Sequence, residues 1–443
     1  MVHAGNSSKI VSEQVVEAPC PLAFHWKVMC SGTVVMRLKG IRVEPAGDRI
    51  RVVGEIQNAS VHPYLAYPHT IKDFVAGTAD PFVPALLVPC LEYGEPLEIV
   101  PPVSQQLVRR LPRIMDVLLA MFPKFRRVEV KLNARVERTP ETGSVVASLF
   151  SGGVDSFYTL LKGVTPGADP SMRPTHVFFM RGLEQPLEES SGADATLGIV
   201  REIADATGVG VLWGETNLRV LFGLNYELYY HASALIGSAL ALSHGVKRLL
   251  VPSTFSYGQL IPWGSHPLLD ELWSIETMDV IHHGAEARRV DKIAMLVREH
   301  PSTLRHLRVC LKNQAGPGNC GQCQKCARTM MALDVIGALS NAPTFPKVSA
   351  RTLGRWLRAD NPIFVEELCD LSRESGRPET IEFLNRVARK QNRRNAMKAL
   401  IDSTPLVGEI MPAVTRLRRR LRGEPGEIPM PHFIGGQSCK PAA

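Results

Sequence analysis

No stretch of 18 consecutive apolar residues occurs among the 443 residues of this chain, and the opening MVHAGNSSKIVSEQ holds no apolar signal core. A membrane-spanning helix needs about 20 such residues, and a secretory leader needs an apolar centre. The expectation is therefore a cytoplasmic protein with no membrane partner. No internal repeat at a fixed period is present. Of the nine cysteines, Cys20, Cys30, Cys90, Cys369 and Cys439 show no pairing pattern, as suits a reducing compartment where clustered cysteines signal metal or chemistry instead of disulfides. A hydrophobic share of 45% speaks against a disordered chain and is enough for a large core divided into two or three domains.

Acids are missing from one region only. The net charge is +8, but Arg386 to Lys398 holds six basic residues and no acids, and Arg416 to Arg422 holds five and none. Elsewhere 40 basic residues face 43 acidic ones, so the remainder is near neutral. The basic region suits RNA, DNA or an acidic partner; a solvated helix face with Arg stems over apolar surface is the plainer reading. No aromatic residue interleaves either stretch to stack bases.

What is present begins at Ser148 to Leu161, SLFSGGVDSFYTLL: a short apolar strand, then Ser151, Gly152, Gly153, Val154, Asp155 and Ser156, then an apolar helix start. The glycines allow turn conformations closed to other residues and let a phosphate approach the backbone. Amide groups and the positive end of the helix dipole then converge on one anion. Ser151 and Ser156 add hydroxyls, and Asp155 adds the hard oxygen that Mg2+ prefers beside phosphates. This loop is neither GxxxxGK[ST] nor GxGxxG, and the plain alternative is a Gly-Gly turn between strand and helix.

A second constellation is Cys310, Cys320, Cys323 and Cys326, four of the nine cysteines within 17 residues. CxxCxxC with a fourth cysteine ten residues upstream suits a closed tetrahedral site for structural Zn2+. An iron–sulfur cluster would want a further cysteine after the run, where Ala327, Arg328 and Thr329 stand.

Along the chain, three blocks are expected. Residues 1–140 read as an α+β accessory domain, with hairpin strands in TVVMRL and IRVVGEI, a helix over Ser104 to Phe122 and a strand in VEVKLNARV. Residues 141–340 alternate strand and helix as an α/β doubly wound parallel sheet does, with strands at the glycine loop, in THVFFM, VGVLWG and KRLLVPS, and helices over Ala193 to Thr207 and around His231 to Ser243. The loop at Ser151 to Ser156, the segment after Met180, Thr216 to Arg219 and Ser253 to Tyr257 fall at carboxyl ends of strands, where such sheets bind ligands. Residues 341–443 form a helical basic region.

The six loop residues resemble the SGGxDS signature of the PP-loop ATP pyrophosphatases, of the adenine nucleotide alpha hydrolase type, which cut ATP between the alpha and beta phosphates. The succession of that loop, STFSYGQLIPWGSHPLLDELW, RRVDKIAMLVREHPSTLRHLRVC and the cysteines is similar to the 7-cyano-7-deazaguanine synthase family. The likeness covers about 190 residues of the 443. It implies an ATP-dependent carbon–nitrogen ligase that uses ATP, Mg2+ and Zn2+. Lys292 matches a lysine that reaches the phosphates; Asp155, Lys292 and Ser156 would be catalytic, and Ser151, Gly152, Gly153, Val154, Asp155, Ser156, Met180 and Lys292 would bind nucleotide. The family's Tyr-Pro-Asp-Cys-Arg element is replaced by Ser265, His266, Pro267, Leu268, Leu269 and Asp270, and its Arg three residues past the last cysteine by Arg328, two past Cys326.

The implied reaction adenylates a carboxylate or amide oxygen, small or protein-borne, for attack by a nitrogen nucleophile. Two alternatives are tRNA sulfur transfer, with the basic region as an RNA clamp, and a non-catalytic ATP-binding scaffold. A homodimer through the first block is also left open. His266 and Asp270 would share a helix face and orient a substrate; His282 and His283 read as a surface turn; Glu276 and Arg289 are cleft candidates by position; Arg308 is a donor to thiolate or faces solvent.

Overall fold

The computed structural model describes residues 35–402, apart from 134, 137–142, 166, 185–186, 188–189, 311–317 and 358–361. In chain order the strands are β1 (Met36–Ala46), β2 (Arg49–Ile56), β3 (Tyr64–Pro68), β4 (Leu97–Ile99), β5 (Val103–Ser104), β6 (Val130–Leu132), β7 (Arg135–Val136), β8 (Val145–Leu149), β9 (His176–Arg181), β10 (Gly210–Thr216), β11 (Val246–Pro252) and β12 (Asp279–His283). The α-helices of ten residues or more are α1 (Phe82–Tyr93), α2 (Gln105–Met121), α3 (Val154–Val164), α4 (Ser190–Thr207), α5 (His231–Leu240), α6 (Arg289–Glu299), α7 (Gln324–Ile336), α8 (Pro362–Glu374) and α9 (Pro378–Asp402).

Strands β8 to β10 are mainly β-branched or apolar runs, and with β11 and β12 they pair in parallel in the order β12-β11-β8-β9-β10. Chain order thus reverses between β8 and β11, and sheets of this kind open a crevice beyond the carboxyl ends of the strands at such a reversal. Alternation separates two cores. Val145, Ala147 and Leu149 of β8, with Phe178 and Met180 of β9, pack with α1, α2 and α5 on one face. Val177 and Phe179 of β9 pack with α3, α4, α6 and α7 on the other. Helices on both faces make this an α/β three-layer sheet.

Strands of the first block extend the same sheet. β3 pairs antiparallel with β10, β2 with β3 and β1 with β2, after which β4 and β6 continue in parallel, giving ten strands. The hairpin and the strand–helix–strand unit read from sequence are β1–β2 and β4–α2–β6. Polar bonds close the join: Thr216 Oγ1 donates to Tyr64 O (2.7 Å), Asn217 Nδ2 to His62 O (2.8 Å), and Asn217 Oδ1 accepts from Tyr64 N (3.0 Å). Thr216 and Asn217 therefore serve this seam.

Cys90 is free and buried, as expected of a reduced cysteine. Cys369 is disulfide-bonded, contrary to the absence of pairing expected for it. No helix among the described residues is long and apolar enough to cross a membrane. After residue 341 the described residues include α8 and α9, and Arg416 to Arg422 lies outside the described residues.

Glu276 is not in the cleft. Its carboxylate accepts from Ser104 Oγ (2.6 Å) and Gln106 N (2.8 Å), while Ser104 Oγ accepts from Leu107 N (3.1 Å), so the pair caps α2. Its place in sequence, a few residues before β12, suggested the cleft; orphan amides at a buried helix start claim it instead. Ser104→Ala removes both bonds from a buried site, and the unfolding free energy measured in urea is expected to fall by about 1–2 kcal/mol with an unchanged m-value.

Candidate anion and metal sites

The glycine loop sits where the topology directs a ligand. Gly152 takes φ +76°, a conformation costly for any residue with a Cβ, and its carbonyl accepts from Arg308 N (2.8 Å). Gly153 caps α3 without a side-chain acceptor, which leaves first-turn amides for a guest. Ser156 Oγ donates to Gly153 O (3.0 Å) and accepts from Ser151 N (3.4 Å), so both serines hold the curl of the loop. Val154 is fully buried and anchors α3 in the core.

Three cations converge on Asp155. Arg289 Nη1 is hydrogen-bonded to its Oδ2, and Lys292 Nζ lies 3.6 Å from its Oδ1. Lys292 is wholly buried; its Nζ donates to Ser253 O (2.6 Å), just past β11, and lies 5.4 Å from the centre of the Tyr158 ring. Arg328, buried on α7, lies against the Phe364 ring at 3.8 Å. Burial acts to raise the Asp155 carboxyl, but Arg289, Lys292 and Arg328 outweigh it and hold it below the usual range. Burial pulls the Lys292 ammonium down, opposed by Asp155 and aided by Arg289.

Among the described residues, Asp155 is the one carboxylate within ion-pair distance of Arg289 or Lys292, and Arg328 has none. Glu367, bonded to the main chain of Arg289, is pushed up by burial and is the weaker counterion for it. Positive charge is thus in excess around a loop that already points amides outward. Asp155 Oδ1 is buried without a hydrogen-bond donor, a hard oxygen suited to Mg2+. Met180 packs its side chain in the opposite-face core, so only its main chain is available to a ligand.

The sulfurs of Cys310, Cys320, Cys323 and Cys326 lie within 4.8 Å of one another, with Cys320 and Cys326 at 3.9 Å. Four thiolates bonded to zinc at about 2.3 Å have edges of this size, so the cluster is positioned to hold a metal such as zinc. Asn319 ties its halves together, accepting from Val309 N (2.8 Å) and Cys310 N (3.1 Å) and donating to Leu307 O (2.8 Å). Cys323 caps α7, so the knot sets the direction from which Arg328 enters the anion site.

Arg289, given little weight from sequence, belongs to the site; a spacing of three from Lys292 on one helix was the available signal. His282 is no surface turn. It is buried on β12, a strand absent from the sequence reading, with Nδ1 2.7 Å from Asp270 Oδ2. Asp270 is fully buried and also accepts from Ser265 Oγ (2.7 Å) and His266 N (3.2 Å). His266 Nδ1 accepts from Leu268 N (3.1 Å), capping the short helix Pro267–Asp270. These residues fix the 253–270 loop. Its Phe255 and Trp263 form an aromatic row between His231 and Phe364.

Comparison with family models, curated proteins and solved structures finds no match for this chain.

Two outcomes follow from this geometry. Protein purified under reducing conditions is expected to carry one zinc by plasma mass spectrometry, and Cys323→Ser to lose it together with about 5 °C or more of thermal midpoint. Burial lowers His231 to about 4, Asp270 opposing. It is therefore neutral in the folded chain, whereas the unfolded chain protonates it near 6.5. Its contribution is complete above pH 6.5 and is lost as pH falls towards 4. Unfolding free energies measured across that window are expected to drop by on the order of 2 kcal/mol through this residue, and the pH slope of His231→Gln to be shallower.

Proposed function

We propose that this protein is an ATP-dependent adenylating ligase that splits ATP into AMP and pyrophosphate to join an activated carboxylate or amide to a nitrogen nucleophile. One observation carries the reading: Arg289, Lys292 and Arg328 converge, largely buried, on Asp155 at the mouth of the Ser151–Ser156 loop, at the strand-order reversal. A polyphosphate is the guest whose charge fits such a site. The likeness of the loop to PP-loop pyrophosphatases supports alpha–beta cleavage, and the zinc knot behind Arg328 supports the 7-cyano-7-deazaguanine synthase-like arrangement.

In this reading the loop amides and Ser151 and Ser156 hold the beta and gamma phosphates, and Asp155 would hold Mg2+, which when bound would supply charge neutralisation to the phosphates. A substrate oxygen attacks the alpha phosphorus; the new P–O bond forms as the bond to the beta-bridging oxygen breaks. Lys292 and Arg289 stabilise the negative charge gathering on pyrophosphate. A nitrogen nucleophile then attacks the activated carbon, loses its proton and displaces AMP. The protein supplies position and charge, and no side chain needs to form a covalent bond. Among the described residues the sulfur-transfer alternative gains no support from cysteine placement, since the clustered thiols share one metal-type site and Cys90 lies in the opposite-face core.

Exchange of labelled pyrophosphate into ATP, assayed with a panel of carboxylates and amides, is the direct test. Asp155→Asn and Lys292→Met are each expected to lower the exchange rate by about 100-fold or more with circular dichroism and zinc content unchanged. Absence of pyrophosphate release across the panel, with ATP affinity unaltered by Asp155→Ala, would sink the proposal.

A further inference from the structure

The long helix α9 carries an ordered charge pattern that the anion site does not use. Ile381, Phe383, Leu384 and Val387 seat its first half on the second core. From there Arg386, Arg389, Lys390, Arg393 and Arg394 follow at positions i, i+3, i+4, i+7 and i+8, which is one continuous face. All five are exposed, so their stems are not used to cover the core. None of them has an ion-pair partner among the described residues.

Such a face is unfavourable in isolation. Arg386 and Lys390, Arg389 and Arg393, and Lys390 and Arg394 are like charges four apart, each of which weakens a helix. On α9 the acids Glu379 and Glu382 lie before the row, and none stands between Arg386 and Arg394. Successive cations in a row stand about 6 Å apart, the scale of successive phosphates.

We infer that this face of α9 is a docking surface for a nucleic-acid phosphate backbone. Without interleaved aromatics it would grip the backbone and not stack bases, so binding is independent of sequence and governed by release of counterions. RNA and DNA share that chemistry. The inference stands on α9 alone, and a failure of the adenylation assay leaves it intact.

Fluorescence anisotropy of the full chain with labelled RNA and DNA duplexes of mixed sequence, at several salt concentrations, tests it. For DNA, five phosphate contacts predict a slope of log K against log salt of about −4 to −5. The combined variant Arg389→Gln, Lys390→Gln, Arg393→Gln is expected to reduce that slope in magnitude by about 3 and to weaken binding at least tenfold. Arg389→Lys with Arg393→Lys keeps the charges and should bind like the parent. Tighter binding to RNA or to DNA identifies the source. Equal affinity and slope for parent and neutralised variant overturn the inference. So does tighter binding to poly-glutamate than to either duplex, which would assign the face to an acidic protein.

Discussion

The arrangement of the crevice depends on one electrostatic imbalance: more positive charge is buried around Asp155 than Asp155 can neutralise. Desolvating an ammonium and two guanidiniums is costly unless anionic charge returns the lost solvation. One carboxylate with hydrogen bonds to only one of the three cations is a partial answer. The rest of the architecture is arranged to keep the imbalance in place. The strand reversal between β8 and β11 opens the crevice, Ser253 O holds Lys292, and Phe364 backs Arg328. In the proposed function a phosphate guest would complete the balance at that helix start.

The cysteine cluster enters this argument through direction. Arg328 lies two residues beyond Cys326 on the same helix, a rotation of about 200°. When the sulfur faces the knot, the guanidinium faces away from it, towards Asp155. A metal at the cluster would thus act on the anion site mechanically, by fixing where α7 begins and how it is turned. Two residues past Cys326, this arginine acts on Asp155, which it helps to keep ionised.

Much of this was legible in the chain because local signals agreed: an apolar strand, two glycines and an amphipathic helix announced β8, the loop and α3, and close cysteine spacing announced the cluster. What escaped reading had its cause elsewhere in the fold. Helix α1 is buried on every side and contains Pro89, so it offers no 3.6-residue alternation and reads as broken. The histidines of β12 looked like a polar turn because Asp270, the buried carboxylate that satisfies His282, lies twelve residues earlier. Glu276 looked free because its partners, Ser104 and Gln106, are about 170 residues away.

The extension of the sheet bears on which part of the crevice could change its guest. Strand β10 would be the edge of the parallel sheet, but β3 pairs with it, and Glu215 at its end is bonded by Arg181 (2.9 Å) and by Arg49 of β2. Thr216 and Asn217 are also committed to that seam. The β9–β10 end is therefore held by bonds that do not involve a ligand. The 253–270 loop is held by main-chain bonds from Tyr257 N to Ala285 O (2.6 Å) and Gly264 N to Leu228 O (2.8 Å) and, at its end, by Asp270 as a buried hub joining Ser265, His266 and His282, with its aromatic side chains facing one another and Phe364. Replacing residues between Phe255 and Trp263 leaves that hub untouched. In the proposed ligase, acceptor specificity could then diverge in this loop while the charged cluster around Asp155, on other elements, keeps its geometry.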